Sequence, residues 1–168
     1  EILEFQFDQF HKTHFRKLDR GDAFTQFTAR IALSGFQLDD ADVASGVVDG
    51  KYDGGIDTFH IVANRTEAIT RDTRGLTTSK PPAHQSKGLP FDVVIVQSKS
   101  ETSGWDEKAI WKLRETIELF LDSKNSLDKL RAVPVSEKVI GQVTALRRNQ
   151  KKLISLDPVA SVTVYMIS

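Results

Sequence analysis

Hydrophobic and polar positions along the chain follow two periods, and each period predicts a type of element. Apolar residues recur at helical spacing in four stretches, namely 2–18, 23–34, 105–122 and 136–154. Three shorter stretches have strand character, namely 56–62, 91–97 and 160–167. The run 91–97 is the most apolar of all and is typical of a central strand. Asp22 is expected to cap the second helix, and Gly35 is expected to end it.

The order of these elements predicts the fold class. Two helices, two strands, two helices and a final strand indicate an α/β sandwich with a mixed sheet, folded as one domain over 1–168. Residues 65–90 are polar, contain three prolines and interrupt the pattern, so a long mobile loop is expected there. Because the chain lacks an initiator Met and stops inside an apolar run, we expect it to be a fragment of a longer protein.

Composition excludes several classes of protein. The 23 basic residues balance the 23 acidic ones, so net charge alone gives no indication of nucleic-acid binding. There is no Cys, which excludes disulfides, cysteine nucleophiles and zinc ribbons. No window is apolar enough for a membrane span, and the first residues do not form a signal peptide. A cytoplasmic location without a membrane partner is therefore expected.

Polar residues interrupt two strands at positions that should be apolar. Asp57 follows Gly54-Gly55 at the start of one strand, and Gln97-Ser98-Lys99 ends the most apolar strand. A carboxylate, an amide oxygen and an ammonium group at adjacent strand ends suit a hard cation beside a positive charge. Metal-assisted phosphodiester hydrolysis needs such a combination.

Simpler interpretations of the same residues remain open at this point. Asp57 is also the kind of residue that caps a turn after glycines. Gln97 and Lys99 are also compatible with a strand end that faces solvent, where Lys protects a sheet edge.

The two motifs together resemble a known family. Asp53-Gly54-Gly55-Ile56-Asp57, followed by an apolar strand ending in Gln97-Ser98-Lys99, is similar to the PD-(D/E)xK restriction-endonuclease-like nucleases of the Mrr type. The longer segment 48–61 resembles the N-terminal domain of abortive-infection phage-resistance proteins, and the resemblance covers about 22–122. It implies a restriction-endonuclease-like mixed sheet flanked by helices, and a nuclease that acts in phage defence or restriction.

The resemblance also implies roles for individual residues. Asp57 corresponds to the metal-binding acid, Gln97 to the second acid and Lys99 to the catalytic lysine, and Mg²⁺ or Mn²⁺ is held by Asp57, Gln97 and the carbonyl of Ser98. Many Mrr-type enzymes carry a helix glutamate as an extra ligand, which 24–27 lacks. Asp22, Asp49 and Asp53 are the candidates to replace it, with Asp53 and Asp49 carried forward, and a metal held by fewer side chains is the alternative.

The expected partners follow from the same resemblance. The substrate is a nucleic acid, with DNA favoured over RNA, and nucleases of this fold often act as homodimers. The missing helix carboxylate supports an alternative, in which a catalytically inactive nuclease fold serves for nucleic-acid binding or assembly.

A basic helix stretch is the second candidate for contact with nucleic acid. Arg147 and Lys151, like Arg148 and Lys152, are four residues apart, and we expect the four to share one outer helix face. Such a face is suited to following phosphates, although a merely solvated helix face has the same pattern.

Overall fold

The structure is a computed structural model of the chain, and it describes residues 2–50, 54–70, 91–99, 105–132, 135–156 and 160–168. Its helices are α1 Ile2–His14, α2 Arg20–Ala32, α3 Asp40–Ser45, α4 Glu107–Leu121, α5 Leu127–Arg131 and α6 Glu137–Leu156. Its strands are β1 Thr58–Ala63, β2 Glu67–Ala68, β3 Phe91–Ser98 and β4 Ala160–Ile167. No helix in these ranges is long and apolar enough to cross a membrane.

The four strands form one mixed sheet in the order β2-β1-β3-β4. β1 pairs antiparallel with both β2 and β3, whereas β3 pairs parallel with β4. A parallel neighbour requires a crossover connection, and α4, α5 and α6 lie in the chain between these two strands. The predicted α/β class with a mixed sheet flanked by helices is thereby confirmed.

Both faces of the sheet are covered, which explains why every residue of β1 and most residues of β3 are buried. Phe59, Ile61 and Ile95 pack in a large core with α4, α5 and α6. On the opposite face, Val62 and Val94 pack against α2 and α3. β3 therefore lies in the middle layer of a three-layer arrangement.

Short acidic and hydroxyl side chains fix where the helices begin. Asp19 caps α2 by accepting from the backbone N–H groups of Gly21 and Asp22. Asp106 caps α4 in the same manner, through the N–H of Ala109. These bonds satisfy donors that the first helical turn leaves without partners.

Several boundaries differ from the sequence prediction. The cap of α2 is Asp19 and not Asp22, because the Asp19 carboxylate reaches the N–H groups two and three residues ahead. α3, α5 and β2 were not predicted, since five or six residues of helix and a two-residue strand are too short for periodicity to detect. The predicted loop 65–90 contains β2 near its start, and residues 71–90 lie outside the described part.

One buried histidine should make the stability of the protein depend on pH. His60 in β1 is 2% exposed, and burial lowers the pKa of its imidazole from 6.5 to about 4. The unfolded chain takes up a proton at this residue below about pH 6.5, whereas the folded chain does so only below about pH 4. Stability is therefore lost as pH falls through this window, by about 2 kcal/mol between about pH 7 and pH 5.

Urea unfolding at several pH values measures this effect. The free energy of unfolding of the wild type should fall more steeply towards pH 5 than that of His60→Gln, which has no imidazole to protonate. The same pH dependence in both proteins would show that His60 is not the group responsible.

Candidate functional site

The carboxylate of Asp57 lies at the end of β3. Its Oδ2 accepts two hydrogen bonds from Ser98, from the backbone N–H at 2.5 Å and from the hydroxyl at 2.6 Å. The backbone N–H of Asp57 also donates to the carbonyl of Val96 at 3.0 Å. The structure therefore brings Asp57 to the Gln97-Ser98-Lys99 segment, and bonds to Ser98 hold its charge in place.

A glycine turn lets the chain approach this strand end closely. Gly54 and Gly55 both have left-handed backbone angles, with φ of 74° and 82°. A Cβ at Gly54 would lie 2.6 Å from a methyl carbon of Thr116 in α4, and one at Gly55 would lie 3.3 Å from Nε2 of Gln97. Thr116 also donates to the carbonyl of Gly54 at 2.9 Å. The turn is thus packed between α4 and Gln97, which leaves no room for side chains.

Gln97 contributes an acceptor that is not used within the fold. Its Oε1 is buried and finds no hydrogen-bond partner in the described part of the chain. Buried amide oxygens are nearly always paired, so this atom is an exception that calls for a ligand or an ordered water. The Gln97 side chain lies against Gly55, in the turn that leads to Asp57.

Asp49 lies beside Asp57 in a way that the sequence prediction left open. The backbone N–H groups of Val48 and Asp49 both donate to the carbonyl oxygen of Asp57, at 2.9 and 3.0 Å. The Asp49 carboxylate in turn accepts from the hydroxyl of Thr25 in α2 at 3.3 Å. The Asp49 carboxylate therefore contacts α2 at residues 24–27, the helix stretch that contains no acidic residue.

Negative charge accumulates at this end of α2. A hydrogen bond with the Asp19 side chain, followed by burial and by the charges of Asp19 and Asp49, raises the pKa of the Asp22 carboxyl. The charge of Lys138 in α6 opposes this effect. The charges of Asp49 and Lys138 therefore both act on the same carboxyl group.

The donor types of the site suit a hard divalent cation. Carboxylate and amide oxygens are the ligands that Mg²⁺ uses, and Asp57 and Gln97 supply one of each, with Asp49 close to the Asp57 backbone. Across the described ranges, no group of three or more His, Asp or Glu side chains is arranged to hold a metal ion. Asp53, the other candidate carboxylate, lies outside those ranges.

Ser98 and Lys99 make different contacts. The structure shows the Ser98 hydroxyl and N–H on the Asp57 carboxylate. The assignment of the Ser98 carbonyl to the metal stays a prediction. Lys99 is half-buried, and its backbone N–H donates to the carbonyl of Ile167 in β4 at 2.9 Å. Pairing with β4 therefore fixes the backbone from which the lysine side chain extends.

The basic stretch of α6 does not form the single outer face that was predicted. Arg147 points inward and donates to backbone carbonyls at the end of α4, those of Phe120 and Asp122 at 3.3 and 3.2 Å and that of Asn125. A cation beside the last carbonyls of a helix is stabilised by the helix dipole. Arg148 is exposed, and the side chains of Lys151 and Lys152 lie outside the described part.

The sequence analysis did not identify Gln142 as a buried polar residue. Gln142 lies on the buried side of α6, is 6% exposed and donates to the carbonyl of Ser45 at 3.1 Å. Its position between the apolar residues Ile140 and Val143 was the only available indication, and that pattern does not distinguish a buried glutamine from a surface one.

Comparison with known proteins does not assign the chain to a family. No protein-family model, curated protein or solved structure gives a significant match to it.

Proposed function

We propose that this protein is a Mg²⁺-dependent nuclease domain that hydrolyses phosphodiester bonds of nucleic acid. The observation that supports this function is the Asp57 carboxylate held by Ser98, which lies between Gln97 and Lys99 in the chain. Oε1 of Gln97 is buried and has no hydrogen-bond partner in the described part of the chain. The motif resemblance supports the same chemistry and suggests a role in phage defence or restriction.

Each residue has a part in the proposed reaction. Asp57 and Gln97 are the protein ligands of the cation, with Asp49 as the neighbouring carboxylate. Bound Mg²⁺ would supply a water of lowered pKa and would offset charge on the phosphate. Lys99 orients the attacking water and stabilises the additional negative charge of the pentavalent phosphate. Ser98 fixes the Asp57 carboxylate before any ligand binds.

The proposed substrate is DNA, and the proposed location is the cytoplasm. Exposed Arg148, with Lys151 and Lys152 of the same helix, is the proposed phosphate contact outside the reaction centre. A homodimer is proposed on the resemblance alone.

Replacing Lys99 by Ala should lower the rate of plasmid nicking in Mg²⁺ or Mn²⁺ by about 100-fold, because a charge aimed at the phosphate is lost. The exposed Lys108 at the start of α4 provides the matched control, and Lys108→Ala should nick as the wild type does. Equal rates for the wild type and Lys99→Ala would contradict the role given to Lys99.

An inactive fold that binds nucleic acid is the second candidate function. It is favoured by the composition of α2, which presents Thr25 and Gln26 where many Mrr-type enzymes carry an acid. Plasmid bound by the wild type but never cut, in either Mg²⁺ or Mn²⁺, would favour this function over the nuclease.

A further inference from the structure

β4 is an edge strand that lacks the usual protection against pairing. β3 pairs with one side of β4, and no described strand pairs with the other side. All eight residues of β4 are uncharged, and none of them is proline or glycine. Natural edge strands are usually short, charged or interrupted by proline, because a free edge recruits further strands. A long uncharged edge therefore indicates a surface that pairs with another strand.

Alternate residues of β4 direct their backbone groups towards this free edge. The carbonyl of Ile167 accepts from the N–H of Lys99, directly after β3, at 2.9 Å, so it points to the β3 side. In a parallel pair, residues that bond to the neighbouring strand alternate with residues whose N–H and C=O both point away from it. The second set consists of Val162, Val164 and Met166. An added strand would therefore meet three donors and three acceptors in a row.

An apolar groove adjoins the same edge. It lies between α4 and β4 and has a volume of about 340 Å³. Its apolar side chains are those of Ile110, Leu113, Ile117, Val164 and Met166. Ile110 and Val164 are 45% and 40% exposed, so part of this lining is open to solvent. Covering these side chains would add a hydrophobic contribution to the pairing of backbones along β4.

The charged residues of the groove are complementary to those of a second copy of the chain. Arg114 and Glu118 line the groove one helical turn apart, and both are exposed. In two copies related by a two-fold axis normal to the sheet, the two α4 helices run in opposite directions. The Arg114 end of one helix then faces the Glu118 end of the other, so opposite charges meet. Groove charges of a single sign would instead repel their own copy.

We propose that two copies of this chain pair through β4, in antiparallel orientation, and so join their two four-stranded sheets. Val164 lies opposite Val164 of the second copy at the two-fold axis, and Val162 lies opposite Met166. Opposite residues of this kind exchange both backbone hydrogen bonds. The axis keeps both α4 helices on the same face of the joined sheet, with the two grooves side by side. This inference gives the proposed homodimer an interface, and it stands on the β4 edge whether or not the protein is a nuclease.

Measurement of the molar mass by light scattering tests this interface without nucleic acid. At about 100 µM, above the micromolar dissociation constants of weak protein interfaces, the wild type should have twice its monomer mass of 18.8 kDa. Val164→Lys should have the monomer mass, because two ammonium groups would meet at the axis. Ile31→Lys should stay dimeric and is the matched control, since Ile31 is also 40% exposed but lies in α2, on the other face of the sheet. A monomeric wild type, or a dimeric Val164→Lys, would overturn the proposal.

A milder substitution keeps the test decisive if Val164→Lys does not fold. The chain contains no Cys, so Val164→Cys introduces a single thiol at a half-exposed position of similar size. A short bismaleimide should join most of the Val164→Cys protein into covalent dimers, because the two thiols lie opposite each other at the axis. Ile31→Cys, treated in the same way, should stay monomeric. If Val164→Cys is not cross-linked, or no more than Ile31→Cys, another chain or segment covers the edge and the proposal is wrong.

The outcome separates this proposal from the nuclease activity. Paired β4 strands run in opposite directions, so the two Asp57 sites lie at opposite ends of the joined sheet and each depends on one copy alone. If the protein dimerises through β4 and cuts no plasmid, the interface stands and the proposed function fails. If a monomeric wild type cuts plasmid, the proposed function stands and the interface fails.

Discussion

Replacing Asp57 by Asn is expected to lower phosphodiester cleavage by about 1,000-fold while the protein stays folded. Asparagine has nearly the same shape, and its Oδ1 still accepts from the hydroxyl and the N–H of Ser98. The negative charge is lost, and with it the main ligand for a hard cation. The two neutral bonds that remain are weaker than the charge-assisted ones, so a loss of stability of about 1 kcal/mol is expected as well.

Calorimetric titration with Mg²⁺ tests the same variant at the level of binding. The wild type should give measurable heat that Asp57→Asn lacks. Asp128→Asn is the matched control, because its carboxylate is 95% exposed and lies in α5, away from β3. Equal and negligible heats for the wild type and Asp57→Asn would contradict a metal site at Asp57, and equal nicking rates would contradict its catalytic role.

The fold class was accessible from the sequence because its main elements are long and strongly periodic. β3 and β4 have the predicted positions to within a residue, since an apolar run bounded by polar residues admits few registers. β3 carries apolar side chains on both faces, such as Ile95 and Val94, and its predicted place as a central strand is confirmed. The assignment to a restriction-endonuclease-like fold stays a prediction.

The sequence was sufficient to predict which residues belong to the candidate site, but not which contacts they make with each other. Asp57 and Gln97-Ser98-Lys99 are distinguishable because they are polar where strands are buried. That Ser98 holds Asp57 through its hydroxyl depends on the antiparallel register of β1 and β3, which a single sequence does not determine. Asp49 is near because the 47–49 segment pairs with the start of β1, which is again a tertiary effect.

The basic residues show why a sequence pattern can misplace a side chain. Arg147 and Arg148 have the same chemistry and adjacent positions, and spacing alone placed both on an outer face. Their environments differ because α4 ends beside Arg147, which donates to the carbonyls of Phe120 and Asp122 there. The position of another helix end is not encoded in the local pattern of α6.

Replacing Gly46 by Ala should lower the free energy of unfolding by about 3 kcal/mol. Gly46 has an ordinary φ of −91°, so the cause is not backbone strain. A Cβ there would lie 2.3 Å from two atoms of the His60 ring, which is itself 2% exposed. The chain cannot move away easily, because the carbonyl of Gly46 accepts from the N–H of Phe59 at 2.8 Å.

Urea unfolding of a double-mutant cycle distinguishes this clash from other effects. His60→Ala alone leaves a cavity and should cost about 2–3 kcal/mol, whereas the double variant should cost much less than the sum, because the new methyl group fills part of that cavity. Gly35→Ala is the matched control, since its new Cβ would meet only the end of the exposed Arg65 side chain at 3.2 Å, and it should cost less than about 1 kcal/mol. Strictly additive losses in the cycle would show that Gly46 and His60 are not packed against each other. The close contact between them, which keeps His60 buried and neutral, would then be contradicted.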